Sequence, residues 1–321
     1  MHAFTFAAVG SSPILNLLQA IEIGITSGAV YALVALGYTM VYGIIELINF
    51  AHGDVFMWGT VITFVLVEAL GLNHTLTGFT LVGTLALLLV VSTLFCGLLN
   101  VTIERLAYRP LRRAPRLAPL IAAIGVSFVL ENIAELWRGP GQAAGPSLFP
   151  ATRLININNT FTVEYRDIFI VVVALVIMLG LGQFIRATKL GRAMRATAQD
   201  PEAAQLMGVN INRTISITFL IGGGLAGAGA VIFAVSSGGF IWFFTGFQFG
   251  LYAFTAAVLG GIGNVNGAVL GGFLIGLVEG LSITYLPQGS ILAPAVIFGI
   301  LVLILVFRPS GLLGAQVPDK A

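Results

Sequence analysis

The chain has 321 residues, of which 58% are hydrophobic and only 9% are charged. Its mean hydropathy of +1.01 excludes a soluble globular domain, which would aggregate, and indicates a membrane protein. The formal net charge of +2 is too small to indicate a nucleic-acid partner. Because Cys96 is the single cysteine, we expect no disulfide within the chain.

Long apolar runs predict transmembrane helices, each of which needs about 20 apolar residues to cross the hydrocarbon core. No lysine or arginine precedes the first run, so we expect this run to be its own insertion signal and to remain in the protein. That run is long for one helix, and the residues after Leu36 form either its continuation or a separate broken or re-entrant piece. The predicted spans are residues 16–44, 54–71, 78–103, 117–137, 167–186, 214–237, 247–262, 267–286 and 290–307.

The predicted fold class is all-α, a polytopic transmembrane helical bundle of eight to ten spans in one domain over residues 1–321. Lipid chains are as apolar as leucine, so close packing between such helices comes from small residues. The C-terminal third has glycines at four-residue spacing, which suits both a tightly packed bundle and helices that slide during gating. These glycines are Gly263, Gly267, Gly271, Gly272, Gly276 and Gly280.

Basic residues in the connections predict the orientation, because positive charge is retained on the cytoplasmic side of short loops. Arginine and lysine are concentrated in residues 105–116 and 186–213, which we expect to be cytoplasmic. The segment 138–166 between them is then an external loop. Arg308 and Lys320 predict a cytoplasmic C-terminus. Nine spans place the N-terminus outside, whereas an additional broken span in the first run would reverse that end alone.

The patterns of common enzyme sites are absent from the sequence. A nucleotide-binding P-loop requires a lysine after a glycine, and neither Lys189 nor Lys320 follows one. The three histidines, His2, His52 and His74, lack the spacing of a zinc site. No Gly-x-Ser-x-Gly nucleophile turn occurs. We therefore expect no catalytic residue, no metal site and no cofactor bound by this chain, which cannot be an ATPase by itself.

Two acidic residues lie within apolar runs, where a charge costs about 2.5–3.5 kcal/mol on insertion scales and tends to be functional. Glu279 is the only charged residue from Thr214 to Phe307, and Glu22 lies within the first run. Each is predicted either to serve transport or to be a carboxyl group satisfied by water or backbone. Two embedded acidic residues are few for an ion-coupled pump.

The segment IELINFAHGDVFMWG places Glu46, Asn49, His52 and Asp54 between two apolar runs. At helical spacing Asn49 and His52 share a face, and we expect Gly53 to loosen the backbone there. The segment is predicted either to line or gate a pathway or to be a hydrated helix end at the membrane surface. The candidate residues for a translocation path are Asn49, His52, Asp54, Glu22 and Glu279.

Residues 186–213 form a polar island in the apolar sequence. Within it, ATAQDPEAAQLM predicts a surface helix of about two turns. Asp200 can cap its start, Pro201 and Glu202 suit its first turn, and Gly208 suits its end. The helix has an alanine-rich face that we expect to be exposed, which suits docking into a groove on another protein. The alternative is an ordinary solvated loop helix.

Three segments of the chain together resemble one protein family. They are YALVALGYTMVYGIIELINFAHGDVFMWG near the N-terminus, GRAMRATAQDPEAAQLMGVNINR in the polar island and AAVLGGIGNVNGAVLGGFLIGLVEGL near the C-terminus. In this order they resemble the permeases of branched-chain amino-acid ABC transporters, of the LivH type. The resemblance runs from about Leu15 to Gly314.

The resemblance implies one half of a type II-like importer pore in the bacterial inner membrane. A second permease subunit, of the LivM type or another copy of this chain, would complete the pore within the membrane lipid. Two ATPase subunits would hold ATP and Mg, and a periplasmic or extracellular solute-binding protein would deliver leucine, isoleucine or valine. Residues 187–213 would be a cytoplasmic coupling segment that docks in the ATPase groove. Its implied coupling residues are Asp200, Pro201, Glu202, Ala203, Ala204 and Gly208.

Two alternatives to this function stay open at the level of sequence. Permeases of this type are similar to one another, so the solute is alternatively urea, an amide or another amino acid. From a different class, the chain is alternatively a stand-alone secondary transporter or channel.

Overall fold

The protein, seen here in a computed structural model, folds as an all-α bundle. The structure describes residues 12–72, 74–112, 114–115, 117–150, 152–158, 160–236 and 239–314. His2, Arg113, Arg116 and Lys320, which entered the sequence predictions, lie outside this set.

The helices and strands follow in chain order. The helices are α1 (Pro13–Ile45), α2 (His52–Ala69), α3 (Gly78–Ile103), α4 (Arg109–Leu111), α5 (Leu117–Arg138), α6 (Tyr165–Ala187), α7 (Lys189–Gln199), α8 (Pro201–Leu206), α9 (Ile211–Ala234), α10 (Thr245–Gly260), α11 (Val265–Tyr285) and α12 (Gly289–Phe307). A π-helical turn, Glu104–Tyr108, joins α3 to α4. Four short strands, β1 (Ala143–Ala144), β2 (Arg153–Ile157), β3 (Phe161–Glu164) and β4 (Phe240–Ile241), pair as β1–β4 and β2–β3.

The predicted helical bundle is confirmed, since each of the nine predicted spans coincides with a helix to within three residues. The alternative of a break after Leu36 is wrong. Helix α1 continues to Ile45, because its residues from Gly28 to Val41 are buried on all sides and stay apolar. It ends at Glu46, which takes a left-handed conformation with φ 52°.

Two of the nine helices are short for a membrane crossing. Seven helices of the described chain are long and apolar enough to cross a membrane, and α2 and α10 are not among them. Helix α2 has 18 residues and α10 has 16, which gives lengths of about 27 Å and 24 Å against a hydrocarbon core of about 30 Å. Each follows non-helical backbone, at residues 46–51 and 239–244.

The helix packing relates two groups of three helices. Helix α1 packs along α11 and α3 packs along α9, while α1 contacts α9 and α2 contacts α10. If α1, α2 and α3 are exchanged with α9, α10 and α11, respectively, the same helix pairs are obtained. The two groups of three helices therefore pack in equivalent ways. The groups run in opposite directions, because α1 ends and α9 begins at the same end of the bundle. The centre of the fold is therefore an inverted repeat, whose short helices α2 and α10 meet between the halves.

The described parts of the two basic connections lie at one end of the bundle, which we call the basic end. There Tyr108 donates to the carbonyl of Ile48 at 3.3 Å, and Arg112 donates to Asn212 at 2.6 Å. The last described residues return to this end, where the Leu313 amide bonds to the carbonyl of Gly260. The β2–β3 hairpin, within the predicted external loop, lies at the opposite end beside the start of α1. The predicted grouping of these segments into two sides thus matches the geometry.

The C-terminal glycines serve two faces of α11. A side chain on Gly267 or Gly271 would collide with the backbone of α10, and one on Gly272, Gly276 or Gly280 would collide with α1. The prediction that Gly263 packs helices is wrong, because this residue lies in the turn before α11 with φ 90°. A Cβ added there would meet nothing within 4 Å. This glycine meets a backbone requirement of the turn, whereas the others allow helix backbones to touch.

Candidate functional site

The polar island folds as two helices, α7 and α8, where the sequence predicted one. Asp200 separates them, because its extended backbone (φ −154°) ends α7 while its Oδ1 accepts a 2.9 Å hydrogen bond from the Ala203 amide at the start of α8. The predicted cap is thus present, but the residues before it belong to α7. Gly208 follows α8 with φ 85°, a conformation that favours glycine.

The exposed surface of α8 differs from the predicted alanine-rich face. Ala204 is buried against the bundle, whereas Glu202 and Ala203 are exposed. The largest apolar surface belongs to Leu206, which is 89% exposed, and Met207, which is 85% exposed. Sequence reasoning missed this pair, although two apolar residues so close to Ala204 on a helix of six residues cannot all face the bundle.

Helix α8 is connected directly to the bundle core. The side chain of Asn210 caps α9 by accepting a 3.0 Å hydrogen bond from the Arg213 amide, so only a short turn separates α8 from α9. Arg112 then joins the start of α9 to the π-helical turn through Asn212. A displacement of α8 would therefore act on α9, the central helix that contacts α1, α2 and α3.

Glu104 is a buried charge at the basic end that the sequence did not single out. It is fully buried in the π-helical turn, is paired with Arg112, and accepts a 2.7 Å hydrogen bond from the Ser216 hydroxyl on α9. Partial burial lowers the pKa of the Arg112 guanidinium from its ordinary value, and the neighbouring Glu104 only partly offsets this shift. The hydrogen bonds from Ser216 to Glu104 and from Arg112 to Asn212 therefore tie the end of α3 to the start of α9. Its sequence signal is an acidic residue at the end of an apolar run, close to arginines.

Asn49 lies in the turn before α2, so it does not share a helical face with His52 as predicted. Its side chain donates to Asn100 at 3.2 Å and accepts from the Tyr108 hydroxyl at 3.1 Å. Asn100 in turn donates to the carbonyl of Phe219 at 2.7 Å. This chain of amides and a hydroxyl connects the start of α2 with α3 and α9.

His52 and Gly53 begin α2 inside the bundle. The ring of His52 is fully buried and packs edge-on against Tyr38, with 4.6 Å between ring centroids. Gly53 does not loosen the backbone, because its surroundings leave no space for a side chain: an added Cβ would collide with Gly246 and lie 2.9 Å from the Cα of Gly250. The glycine instead allows α2 to touch α10.

Asp54 is the polar residue at the centre of this contact. It is 1% exposed, and its Oδ2 accepts a hydrogen bond from the Ser127 hydroxyl on α5. Its Oδ1 is buried with no hydrogen-bond partner among the described residues, and it lies where a side chain on Gly246 would have to be. One half of a buried carboxylate is thus unsatisfied.

Ser127 and Gly246 line a cavity of about 290 Å³ between α1, α5 and α10, which we call the aromatic cavity. Glu131, one turn after Ser127 on α5, adds a second carboxyl group to it. None of the described residues that line it is basic. Six aromatic residues form much of its wall, namely Tyr38, Phe50, Phe128, Phe244, Phe247 and Phe254.

The other two candidate path residues lie elsewhere. Glu22 is near the hairpin end, where it accepts hydrogen bonds from Gln19 at 2.8 Å and Thr26 at 3.4 Å. Glu279 accepts a 2.8 Å hydrogen bond from the Tyr31 hydroxyl between α11 and α1. None of the five candidate path residues is among the residues that line the aromatic cavity. Asn49, His52 and Asp54 lie together at the start of α2, whereas Glu22 and Glu279 lie on other helices.

Known proteins resemble this chain over nearly its full length. The family described as branched-chain amino acid transport system / permease component matches residues 20–305. The high-affinity branched-chain amino acid transport system permease protein BraD of Pseudomonas aeruginosa is 42% identical over 312 residues, which are 96% of this chain and 99% of BraD. The corresponding protein LivH of Escherichia coli K12 is 41% identical over 314 residues, 97% of this chain and 99% of LivH.

A more distant relative is named for a different solute. The autoinducer 2 import system permease protein LsrC of Klebsiella pneumoniae is 28% identical over 197 residues, which are 59% of this chain and 55% of LsrC. No solved structure matches the chain.

Proposed function

Since this chain belongs to the family of permease components of branched-chain amino acid transport systems, we propose that it is the membrane-spanning permease subunit of an ABC importer for leucine, isoleucine and valine. The observation that carries this proposal is the 42% identity to BraD over 96% of the chain. ATP hydrolysis is assigned to partner subunits, because the sequence has no P-loop.

The orientation follows from the basic end. Its arginines and lysine make it the cytoplasmic side by the positive-inside rule, with the C-terminus on the same side. The hairpin end then faces the periplasm, where a solute-binding protein would dock. A second permease subunit, either a different chain or a second copy, completes the pore in the inner membrane.

Helix α8 is the part of this chain that we propose docks on the ATPase. Leu206 and Met207 present apolar surface on an otherwise polar segment, which is the property of a buried anchor at a protein interface. The predicted coupling residues Asp200, Glu202 and Gly208 lie in this helix or at its two ends. When the ATPases close, the short link to α9 and the Arg112–Asn212 bond would carry the movement of α8 into the bundle.

The second candidate function is import of a different solute by the same kind of transporter. The partial match to LsrC, named for autoinducer 2 import, indicates that permeases sharing part of this sequence serve another cargo. The higher identity and fuller coverage of BraD and LivH favour branched-chain amino acids.

The test is uptake by a reconstituted complex of this chain with its partner permease, ATPases and binding protein in proteoliposomes. We expect leucine to accumulate only when ATP and binding protein are both present. Uptake of leucine by this chain alone without nucleotide would overturn the proposal in favour of a stand-alone transporter or channel. A complex that takes up another solute and no branched-chain amino acid would overturn the cargo.

The coupling assignment has its own test. Replacing Glu202 or Gly208 should separate ATP hydrolysis from uptake or weaken recovery of the ATPases, with normal insertion of the permease in the membrane. His74→Ala, in an exposed connection at the hairpin end, is the matched control. Normal uptake together with normal complex recovery in both variants would remove the assignment.

A further inference from the structure

The aromatic cavity combines features of a solute site that no packing requirement explains. Small-molecule sites are largely apolar concavities of about 300–1,000 Å³ with a few converging polar groups, and this cavity is about 290 Å³. Its polar lining groups are Ser127 and Glu131. Asp54 lies behind this lining, where it accepts the hydrogen bond of the Ser127 hydroxyl and so holds that side chain in place.

The charge of the cavity indicates the kind of group it receives. Glu131 lines the cavity, and no lysine, arginine or histidine is among the described residues lining it. A carboxyl group without a protein cation beside it can accept a hydrogen bond from an ammonium group and, when ionised, attracts its charge. The aromatic rings favour the same charge, since an ammonium group is attracted to a ring face.

The positive pole of helix α10 lies beside Asp54 and at the wall of the cavity. Phe244, Gly246 and Phe247 bring the first turn of α10 to the cavity wall, next to Oδ1 of Asp54. The first amide groups of a helix lack partners within that helix and favour an anion. An amino acid carries an ammonium and a carboxylate on one carbon, so adjacent negative and positive poles match it.

The position of the cavity in the fold supports the same ligand. It lies beside the contact of α2 with α10, the two short helices at the centre of the inverted repeat. Secondary transporters built from such repeats hold solutes near the membrane midplane, at interrupted helices between the halves, and the same packing of two halves here offers a comparable position. Phe128 and Phe247, at the rim, are exposed in the isolated chain. Because carboxyl groups facing lipid are costly, we assign this face to the pore between the two permease subunits.

We propose that the aromatic cavity is a solute subsite of the permease, in which Glu131 and Ser127 receive the ammonium group of an aliphatic amino acid and the aromatic wall receives its side chain. This inference rests on the proposed function and adds a binding step within the membrane. The solute would pause there after release from the binding protein.

The test measures cysteine protection in the assembled transporter in lipid nanodiscs. The native thiol of Cys96 is buried and gives little background labelling. Phe247→Cys and, as a second variant, Ile124→Cys place a thiol at the cavity, and His74→Cys is the control outside it. Maleimide labelling is followed with leucine and with 4-methyl-2-oxopentanoate, which replaces the ammonium group by a carbonyl.

At about ten times its dissociation constant, leucine should slow labelling of the cavity thiols about tenfold, by mass action. The oxo acid should give no protection, and neither compound should affect the His74→Cys control. Adding Glu131→Gln should weaken the leucine affinity about tenfold or more, since it removes the carboxyl partner of the ammonium group. Glutamine keeps the length of the side chain and an acceptor oxygen, so the local fold has a reason to persist.

Three results would overturn the subsite. They are equal protection by both compounds, no protection by leucine, and cavity thiols that do not react with maleimide at all. ATP-driven uptake of leucine by the same complexes separates the two proposals. Uptake without protection would remove the subsite alone, whereas absent uptake of any branched-chain amino acid would remove the proposed function.

Discussion

Tyr31 on α1 donates a 2.8 Å hydrogen bond to Oε2 of Glu279 on α11. The bond crosses the same contact at which Gly276 touches Gly28, so it joins two helices whose backbones already meet. Tyr31 is 2% exposed, which leaves water little access to replace its hydroxyl. Glu279, the only charged residue of the last three helices, thus has a structural partner in this protein.

Tyr31→Phe should lower the stability of the purified permease by about 1–3 kcal/mol, because it removes a hydrogen-bond donor from the buried carboxyl group of Glu279. Thermal unfolding in detergent measures the effect as a lower Tm. Tyr285→Phe, at an exposed position, should leave Tm unchanged. An equal Tm for Tyr31→Phe and the unaltered protein would show that the bond does not stabilise the helix pair.

Gly276→Ala should destabilise the bundle by about 1–3 kcal/mol, because the added methyl group collides with the backbone of α1 at Gly24 and Gly28. Gly299→Ala is the matched control, since an added Cβ there meets nothing within 4 Å and alanine favours a helix. Recovery of monodisperse protein and Tm report the difference. Similar values for the two variants would contradict the close contact.

Leu206→Ser combined with Met207→Ser should weaken ATPase binding by about 2 kcal/mol or more, as expected for truncated anchors of an interface. Co-purification of the ATPases and ATP-dependent leucine uptake measure the loss. Gln205→Ser alters an exposed neighbour on the same helix and should have little effect. Full recovery of ATPases with the double variant would place the docking surface elsewhere.

Arg112→Met should be more harmful than Glu104→Gln, although both break the same ion pair. Removing the arginine leaves a fully buried carboxylate without its cation, which costs about 3–5 kcal/mol. Removing the carboxylate leaves an arginine that is partly exposed and can be hydrated. The Tm values of the single variants show which substitution is more destabilising. A double variant that is more stable than Arg112→Met would show that the unpaired carboxylate causes the loss.

The polar residues show where prediction from sequence stopped. The sequence singled out Asp54 but not its hydrogen-bond partner Ser127, nor Glu131, which lines the neighbouring cavity; both lie on α5, more than seventy residues later. It treated Arg112 as an orientation signal and overlooked Glu104, because a pairing through a π-helical turn has no local pattern. It also assigned Asn49 to a helix that begins three residues later.

The sequence by itself determined the nine long apolar helices, the grouping of the basic connections and the family. A helix in lipid satisfies all its backbone hydrogen bonds within its own segment, so local composition is sufficient to locate it. Only the tertiary structure decided which groups meet at Asp54, which glycines touch α1 or α10, and that Leu206 rather than Ala204 is exposed. These depend on contacts between helices far apart in sequence, where shape and small residues, not hydrophobicity, set the packing.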